Sequence, residues 1–187
     1  MSEFEVNIGL SNPKTPTNVG VVMRAVSCFQ ASAVFYTGER YDRAARFYTD
    51  RQDTASTTPV SEVSCLLESA PKDTKIVCVE LVEGAIPLPE YQHPNKAFYI
   101  FGPEDGTLSQ EMIDRADSVV YIPTIGCLNV AMAVNVVLYD RLAKSENSIA
   151  SNELISQSRN VNNRVRVKPE LSDYMVSLKH ELGKFEK

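Results

Sequence analysis

The sequence is poor in the residues from which metal centres and disulfide frameworks are built. It contains four cysteines and two histidines among 187 residues, and no two cysteines form a CxxC pair. A structural zinc site needs four such ligands, commonly at short paired spacings. We therefore expect no metal site, and we expect reduced thiols of the kind found in cytosolic proteins.

Long apolar runs and a basic N-terminus are also lacking. No stretch reaches the roughly 18 apolar residues that a membrane-spanning helix requires. The first ten residues, MSEFEVNIGL, carry two acidic and no basic side chains, which is unlike the start of a secretory signal. The sequence therefore predicts a cytoplasmic protein that does not associate with a membrane.

Positive charge is in deficit, with 19 Lys and Arg against 24 Asp and Glu and a net charge of −5. Non-specific affinity for nucleic acid grows with the number of phosphates neutralised, so bulk charge does not favour such a ligand. An RNA substrate would need a local basic patch or a second subunit.

Three common motifs are missing as well. The absence of GxxxxGK[ST] argues against a phosphate-cradling loop, and the absence of GxGxxG after a strand argues against the usual dinucleotide fold. GxSxG is absent too, and two histidines leave little room for a Ser–His–Asp hydrolase. A cofactor that carries no phosphate would need none of these loops.

Short apolar segments alternate with helical stretches, and the length of 187 residues fits one domain with a short appendage. The apolar segments are mostly continuous, which is typical of strands covered on both faces of a parallel sheet. The alternation predicts an α/β fold in which helices sandwich a parallel sheet. The predicted strands are Val6–Leu10, Ala33–Tyr36, Ile76–Val79, Phe98–Phe101 and Val119–Ile122, and the predicted helices are Thr17–Phe29, Ser109–Ala116 and about Asn129–Lys144.

Two segments differ in character from this pattern. Gly38–Pro59 is polar and rich in arginine, and we expect an excursion that contains a helix. After about Ser145 the chain becomes rich in Ser and Asn. The composition predicts a domain over residues 1–145, followed over 146–187 by a polar linker or loosely ordered tail and a short amphipathic helix near Ser172–Phe185.

Three strand–loop–helix junctions carry polar residues that a core does not need. In the first, Asn12–Gly20 holds two prolines, opens a helix with Asn18 and leads into Arg24. In the second, an apolar strand runs into Gly-Pro-Glu-Asp-Gly and places Glu104 at the carboxyl end of the strand, where ligands bind in open α/β sheets. In the third, a strand ends at Pro123, and small residues lead to Asn129 at the start of a helix. Taken singly, each junction is also explained by helix caps, turns or a solvated arginine.

Together the three junctions resemble the motifs of the SpoU branch of the SPOUT methyltransferases, which are ribose 2′-O-methyltransferases of tRNA and rRNA. NPKTPTNVGVVMRAV is similar to the first motif, FGPEDGTLS to the second and YIPTIGCLNVAMAVNVVLYDR to the third, in the family's order over roughly residues 5–144. The resemblance implies S-adenosylmethionine as cofactor, an RNA substrate and a C-terminal deep trefoil knot. It also implies a homodimer with the active site near the subunit interface.

The resemblance also assigns roles to individual residues. Asn18 and Arg24 match the pair that contacts the reacting ribose and its phosphate, Glu104 matches the second-motif carboxylate, and Asn129 matches the third-motif asparagine. Cys127 stands where the family often has serine, as does Ala131, and a lost hydroxyl there would weaken cofactor binding by roughly 1 kcal/mol. The residues whose backbone matches the loops that hold the cofactor's adenine and ribose are Glu80, Leu81, Val82, Gly102, Ile122, Cys127 and Leu128.

Basic residues in the loops and the tail are candidate RNA contacts, although a run of charges is more often a solvated surface. The candidates are Lys14, Arg40, Arg43, Arg164 and Arg166. Two other functions stay open. The chain could be a catalytically inactive knotted dimer that holds RNA or cofactor, or a small-molecule nucleotide enzyme that uses Glu104 as acid or base.

Overall fold

The computed structural model describes residues 4–46, 58–145, 150–159 and 165–168. The chain divides into two compact units, Met1–Ser148 and Ile149–Lys187. The predicted Ser172–Phe185 helix and Arg164 lie outside the described residues.

A seven-stranded sheet occupies the first unit, with the strand order β3-β2-β1-β6-β4-β7-β5. Every strand pair in it is parallel, so the predicted parallel α/β fold is confirmed. The strands are β1 Glu5–Ser11, β2 Ala33–Thr37, β3 Val60–Glu62, β4 Lys75–Val79, β5 Ile86–Pro87, β6 Lys96–Phe101 and β7 Ser118–Tyr121. The five predicted strands are all present, whereas the short strands β3 and β5 were not predicted because neither forms an apolar run.

The helices are α1 Pro16–Cys28, α2 Arg40–Arg46, α3 Gln110–Arg115, α4 Val130–Lys144 and α5 Asn152–Ser158. The helix expected within the arginine-rich excursion is α2. The expectation of a linker or loosely ordered tail after Ser145 is wrong for Asn152–Ser158, which forms α5. The Ser151 hydroxyl accepts a hydrogen bond from the Leu154 amide and caps that helix, a local signal that the polar composition of the segment obscured.

Alternate side chains of the central strand β6 face two separate cores. Tyr99 and Phe101 belong to the core formed with α1 and α4. Phe98 and Ile100 belong to the core on the opposite face, where Leu108 joins them and Met112 of α3 packs against it. Because β6 is covered on both faces, its sequence is a continuous apolar run and not an alternating one.

Polar contacts fasten the second half of α4 to the segment that precedes β6. The side chain of His93 is buried, with one ring nitrogen 2.8 Å from Asp140 Oδ2 and the other 2.6 Å from the Tyr99 hydroxyl. Arg141 donates to the carbonyl oxygens of Pro94 and Asn95 at 2.6 and 2.8 Å. These bonds hold the helix whose first turn borders the site described next.

Candidate active site

The three junctions singled out in the sequence meet at one edge of the sheet. Leu10 of β1 and Val79 of β4 both pair with Phe101 of β6, and Val79 also pairs with Val120 of β7. Since all these strands are parallel, the loops that follow them leave from the same edge. Residues that are 90 positions apart in the chain, such as Lys14 and Glu104, therefore come within hydrogen-bonding distance.

A cavity of about 370 Å³ lies at this edge, between the loops after β4, β6 and β7 and the first turn of α4. Its volume is in the range of small-molecule sites. Glu104 and Asn129 line it, whereas Val82, Asn18 and Arg24 do not. Six of the seven residues assigned to the cofactor line it, namely Glu80, Leu81, Gly102, Ile122, Cys127 and Leu128.

The Glu80 side chain is held in one place beside this cavity. Its Oε1 accepts a hydrogen bond from the Leu81 amide and its Oε2 accepts one from the Leu108 amide, both at 3.0 Å. Gly102 lies directly against this carboxylate, because a Cβ at that position would be 2.9 Å from Glu80 Oε2. The resemblance had assigned only the backbone of Glu80, and the strand-end position of this carboxylate was the signal that could have pointed to its side chain.

The third loop is exposed and ends in a helix cap. Gly126 adopts a φ of +99°, which favours glycine, and the Thr124 hydroxyl donates to its carbonyl oxygen at 2.9 Å. Asn129 Oδ1 accepts a hydrogen bond from the Met132 amide at 2.8 Å. The capping role predicted for Asn129 is confirmed, and its side chain borders the cavity as well.

Glu104 joins the second junction to the first. Its Oε1 accepts hydrogen bonds from the amides of Thr15 and Lys14 at 3.1 and 3.4 Å, and its Oε2 accepts one from the Thr15 hydroxyl. Burial by itself raises the pKa of Glu104, but the hydrogen bonds from Thr15, with contributions from Asn18 and Lys14, outweigh it and lower the pKa below its usual value. The carboxylate is thus ionised near neutral pH and is poorly suited to general acid or base catalysis, which argues against the small-molecule enzyme.

Arg24 lies on the exposed side of α1. The buried side of the helix carries Val19, Val22 and Val26, which pack in the core shared with α4. Thr17, Val21, Arg24 and Cys28 are exposed and recur at helical spacing. Within a single chain, Arg24 therefore faces solvent outside the cavity, whereas Asn18 is half-buried near Glu104.

Two of the basic residues expected to contact RNA are already engaged within the protein. Asp105 binds both Arg40, at 2.8 Å, and Lys14, at 3.4 Å. The hydrogen bond from Arg40 is the main cause that lowers the pKa of Asp105 to about 2. Arg43 and Arg166 are exposed.

Sequence comparison identifies the family to which these junctions belong. The sequence model of the SpoU rRNA Methylase family matches residues 5–139, which include all three junctions. The chain belongs to this family. Among proteins with curated descriptions, none matches its sequence.

Solved SpoU-type structures share the fold at low sequence identity. The SpoU methyltransferase AviRb from Streptomyces viridochromogenes, solved with AdoMet, is 20% identical with a TM-score of 0.64, over 75% of this chain and 58% of that one. The TrmH/SpoU tRNA modifying enzyme of A. aeolicus is 20% identical with a TM-score of 0.66, over 82% and 84%. A structure concerned with 2-OH methylation of C/U34 on tRNA is 21% identical with a TM-score of 0.62, over 76% and 92%. The chain thus spans little more than half the length of AviRb.

The described residues of the chain contain neither a cluster suited to a metal ion nor a helix suited to a membrane. In the described part of the chain, no cluster of three or more His, Cys, Asp or Glu side chains could hold a metal ion. None of the described helices combines the length and the apolar character needed to cross a bilayer.

The lowered pKa of Asp105 makes part of the stability pH-dependent. The unfolded state takes up this proton near pH 3.8, whereas the folded state takes it up only near pH 2, so the contribution is present above about pH 4 and disappears as the pH falls to 2. We expect Asp105→Asn to be less stable than the wild type at pH 7 and the gap in melting temperature to close by about pH 2. Thermal unfolding followed by circular dichroism measures this gap. Glu83→Gln, which removes an exposed carboxylate, serves as the control, and a gap for Asp105→Asn that is independent of pH would contradict the assignment.

Proposed function

We propose that this SpoU family member transfers a methyl group from S-adenosylmethionine to a ribose 2′-hydroxyl of tRNA or rRNA. The observation that carries the proposal is the meeting of all three family motifs at one sheet edge, around a cavity lined by residues of the second and third. A structural relative of this chain was solved with AdoMet, and another concerns 2-OH methylation on tRNA. Both share its fold, and we extend the activity from that likeness and from the site.

The residues at the cavity suit S-adenosylmethionine. Gly102 has no Cβ, and this lets the Glu80 carboxylate lie against its backbone at the edge of the cavity. Leu81, Ile122 and Leu128 offer apolar surface for an adenosine. The carboxylates of Glu80 and Glu104 supply negative charge for a cationic ligand. When bound, the cofactor supplies an activated methyl group on its sulfonium.

The chain's own residues then have to orient the nucleophile and manage its charge. A protonated guanidinium has no lone pair with which to accept a proton, so it cannot act as a general base. We assign Arg24 to the phosphate beside the reacting ribose, where it also stabilises negative charge that develops on the 2′-oxygen. Asn18 orients the ribose, and the hydroxyl proton passes to water or to phosphate. Glu104 holds the start of α1 through Thr15 and so positions both residues.

A homodimer is part of this proposal. Met132, Val136 and Tyr139 recur at helical spacing on α4 and are exposed, Tyr139 to 65%. Val21 is exposed on α1, the helix that packs against α4. An apolar stripe of this kind fits a second copy of the chain. Arg24 lies on the same exposed side of α1 as Val21, so a partner docked there would bring the active site to the subunit interface.

A charge placed in this apolar stripe should separate the subunits. We expect Tyr139→Glu to raise the dimer dissociation constant by 100-fold or more, because an unpaired charge buried in an interface costs roughly 3–5 kcal/mol. Light scattering coupled to size exclusion measures the mass over a concentration series. Ile155→Glu, which changes an exposed apolar residue of α5, is the control and should leave the mass unchanged. A dimer that persists in Tyr139→Glu would show that this stripe is not the interface.

Other expectations stay predictions within this proposal. They are the C-terminal trefoil knot, the division into a methyltransferase domain over residues 1–145 and a polar linker with a short helical tail over 146–187, RNA contacts by Arg43, Arg164 and Arg166, and action in the cytoplasm.

The proposed activity is tested in two steps. Calorimetry with S-adenosylmethionine should show binding, and radiolabel transfer to total tRNA or rRNA should follow. Mass-spectrometric mapping of 2′-O-methyl nucleosides in RNA from cells with and without the protein then identifies the modified position. Cofactor binding without transfer to either RNA would favour the inactive binding dimer, and no heat of binding would contradict both functions.

A further inference from the structure

Arg40, the first residue of α2, uses its guanidinium to join two loops. Its Nη1 and Nη2 donate to the two carboxylate oxygens of Asp105 at 2.8 and 3.0 Å. Its Nε and Nη2 also donate to the carbonyl oxygen of Asn12, at 3.1 and 2.6 Å. A paired, fork-like contact of this kind fixes geometry as well as charge.

The two loops that Arg40 joins are those that carry the first and second family motifs. Asn12 lies between β1 and α1, and Asp105 directly follows Glu104 after β6. Glu104 itself accepts hydrogen bonds from the Lys14 and Thr15 amides. Arg40 therefore ties together, from the side of α2, the same pair of loops that Glu104 ties together at the cavity.

The residues next to Arg40 are fixed by packing and hydrogen bonds. Tyr41, the next residue, is buried and stacks on Tyr36 of β2 with ring centroids 3.8 Å apart. The Tyr36 hydroxyl donates to Asp42 at 3.0 Å. Gly38, in the turn before α2, lies directly against Asn12, since a Cβ there would be 2.5 Å from Asn12 Oδ1. Its φ of +81° also favours glycine. The start of α2 and the loop at Asn12 are thus both restrained by the fold.

We propose that Arg40 is a positioning residue for methyl transfer: through Asn12 and Asp105 it fixes the start of α1, and with it Asn18, on the ribose side of the site. This inference rests on the proposed function and deepens it. Arg40 does not line the cavity, so it acts on the RNA-facing residues and leaves cofactor binding alone. The charge pattern of the sequence had suggested an RNA contact instead, and the two roles predict different results.

The test compares Arg40→Met with Asp105→Asn in steady-state methyl transfer on RNA. If Arg40 positions the first junction, both variants lower kcat by about 10-fold to 100-fold, since small displacements of reacting groups cost that much. The dissociation constant for S-adenosylmethionine changes less than twofold, and the salt dependence of RNA binding stays that of the wild type. The double variant is close to the poorer single variant, because both single variants remove the shared Arg40–Asp105 interaction.

Three further variants and measurements complete the design. Arg40→Lys should restore activity only in part, because a single ammonium cannot reach Asp105 in paired fashion and Asn12 at once. Lys72→Met removes an exposed lysine in the turn before β4, at the opposite end of that strand from the site. Its side chain makes no hydrogen bond or ion pair with any described residue, and the variant should leave kcat unchanged. Melting temperatures identify any variant that fails to fold. The comparison of kcat then rests on the variants that do fold, with Arg40→Lys as the mildest change.

If Arg40 contacted RNA, the two variants would change the affinity for RNA in opposite directions. Arg40→Met would then weaken RNA binding and reduce the salt slope by about one, whereas Asp105→Asn, by removing a negative charge and releasing Arg40, would tighten RNA binding. Unchanged kcat in both variants would overturn the positioning role and leave the proposed methyl transfer intact. A wild-type protein without methyl transfer would overturn both.

Discussion

Arg24→Lys is expected to lose about 99% of methyl transfer while S-adenosylmethionine binds as it does to the wild type. Lysine keeps the positive charge but not the planar fork that grips a phosphate through two parallel hydrogen bonds. It also has fewer donors to stabilise charge on the 2′-oxygen, and the loss of one such donor costs on the order of 100-fold in kcat. Because Arg24 lies on the exposed side of α1 and outside the cavity lining, cofactor affinity should not change.

The measurement separates these two effects. Single-turnover transfer of a labelled methyl group gives the rate, and calorimetry gives the cofactor dissociation constant. Arg115→Lys is a matched control, since Arg115 is an exposed arginine at the far end of α3 that pairs with Glu68 and Glu111. Wild-type turnover in Arg24→Lys would make Arg24 a structural residue and remove it from the mechanism.

Gly102→Val should weaken cofactor binding, raising the dissociation constant for S-adenosylmethionine at least 100-fold above that of the wild type. A Cβ on Gly102 would lie 2.9 Å from Glu80 Oε2 and 3.5 Å from the Leu108 amide nitrogen. The valine side chain would therefore displace the Glu80 carboxylate from the Leu108 amide, and an unsatisfied buried donor costs about 1–3 kcal/mol. Because Gly102 lines the cavity, the two added methyl groups would also narrow the proposed cofactor site.

Gly106→Ala is the control for this substitution. A Cβ on Gly106 would meet only Pro103 Cγ, at 3.3 Å, so the cavity stays open although Gly106 also borders it. Calorimetry with S-adenosylmethionine compares the two variants, and circular dichroism establishes that both are folded. Tight binding by a folded Gly102→Val would mean that the cofactor lies elsewhere.

The two carboxylates of the cavity have different roles, and this bears on the choice between functions. Glu104 is surrounded by donors from the first junction, whereas Glu80 is held by the Leu81 and Leu108 amides at the end of β4. Both carboxylates are already engaged by hydrogen-bond donors of the chain. The site is better suited to holding and orienting two ligands, which is what transfer from an activated donor requires.

Much of the site could be located from the sequence because each junction carries local signals. The proline that starts α1, the Gly-Pro-Glu-Asp-Gly turn and the Asn129 cap are short-range patterns. Their order along the chain identified the family. Val82 was placed with the cofactor loop but lies outside the cavity lining. A helix cap such as Ser151 was equally visible in the sequence, but the polar composition around it hid α5.

The sequence by itself determined five of the seven strands, the main helices and the family, because apolar runs and caps are properties of neighbouring residues. Only the tertiary structure decided that β1, β6, β4 and β7 are neighbours in the sheet, so that their loops meet. Strand order depends on how whole faces pack and leaves no trace in any single segment. The tertiary structure also decided the partner of Arg40. An arginine beside other charges looks the same in sequence whether it faces solvent or binds Asp105, and only the fold brings these two residues, 65 positions apart, into contact.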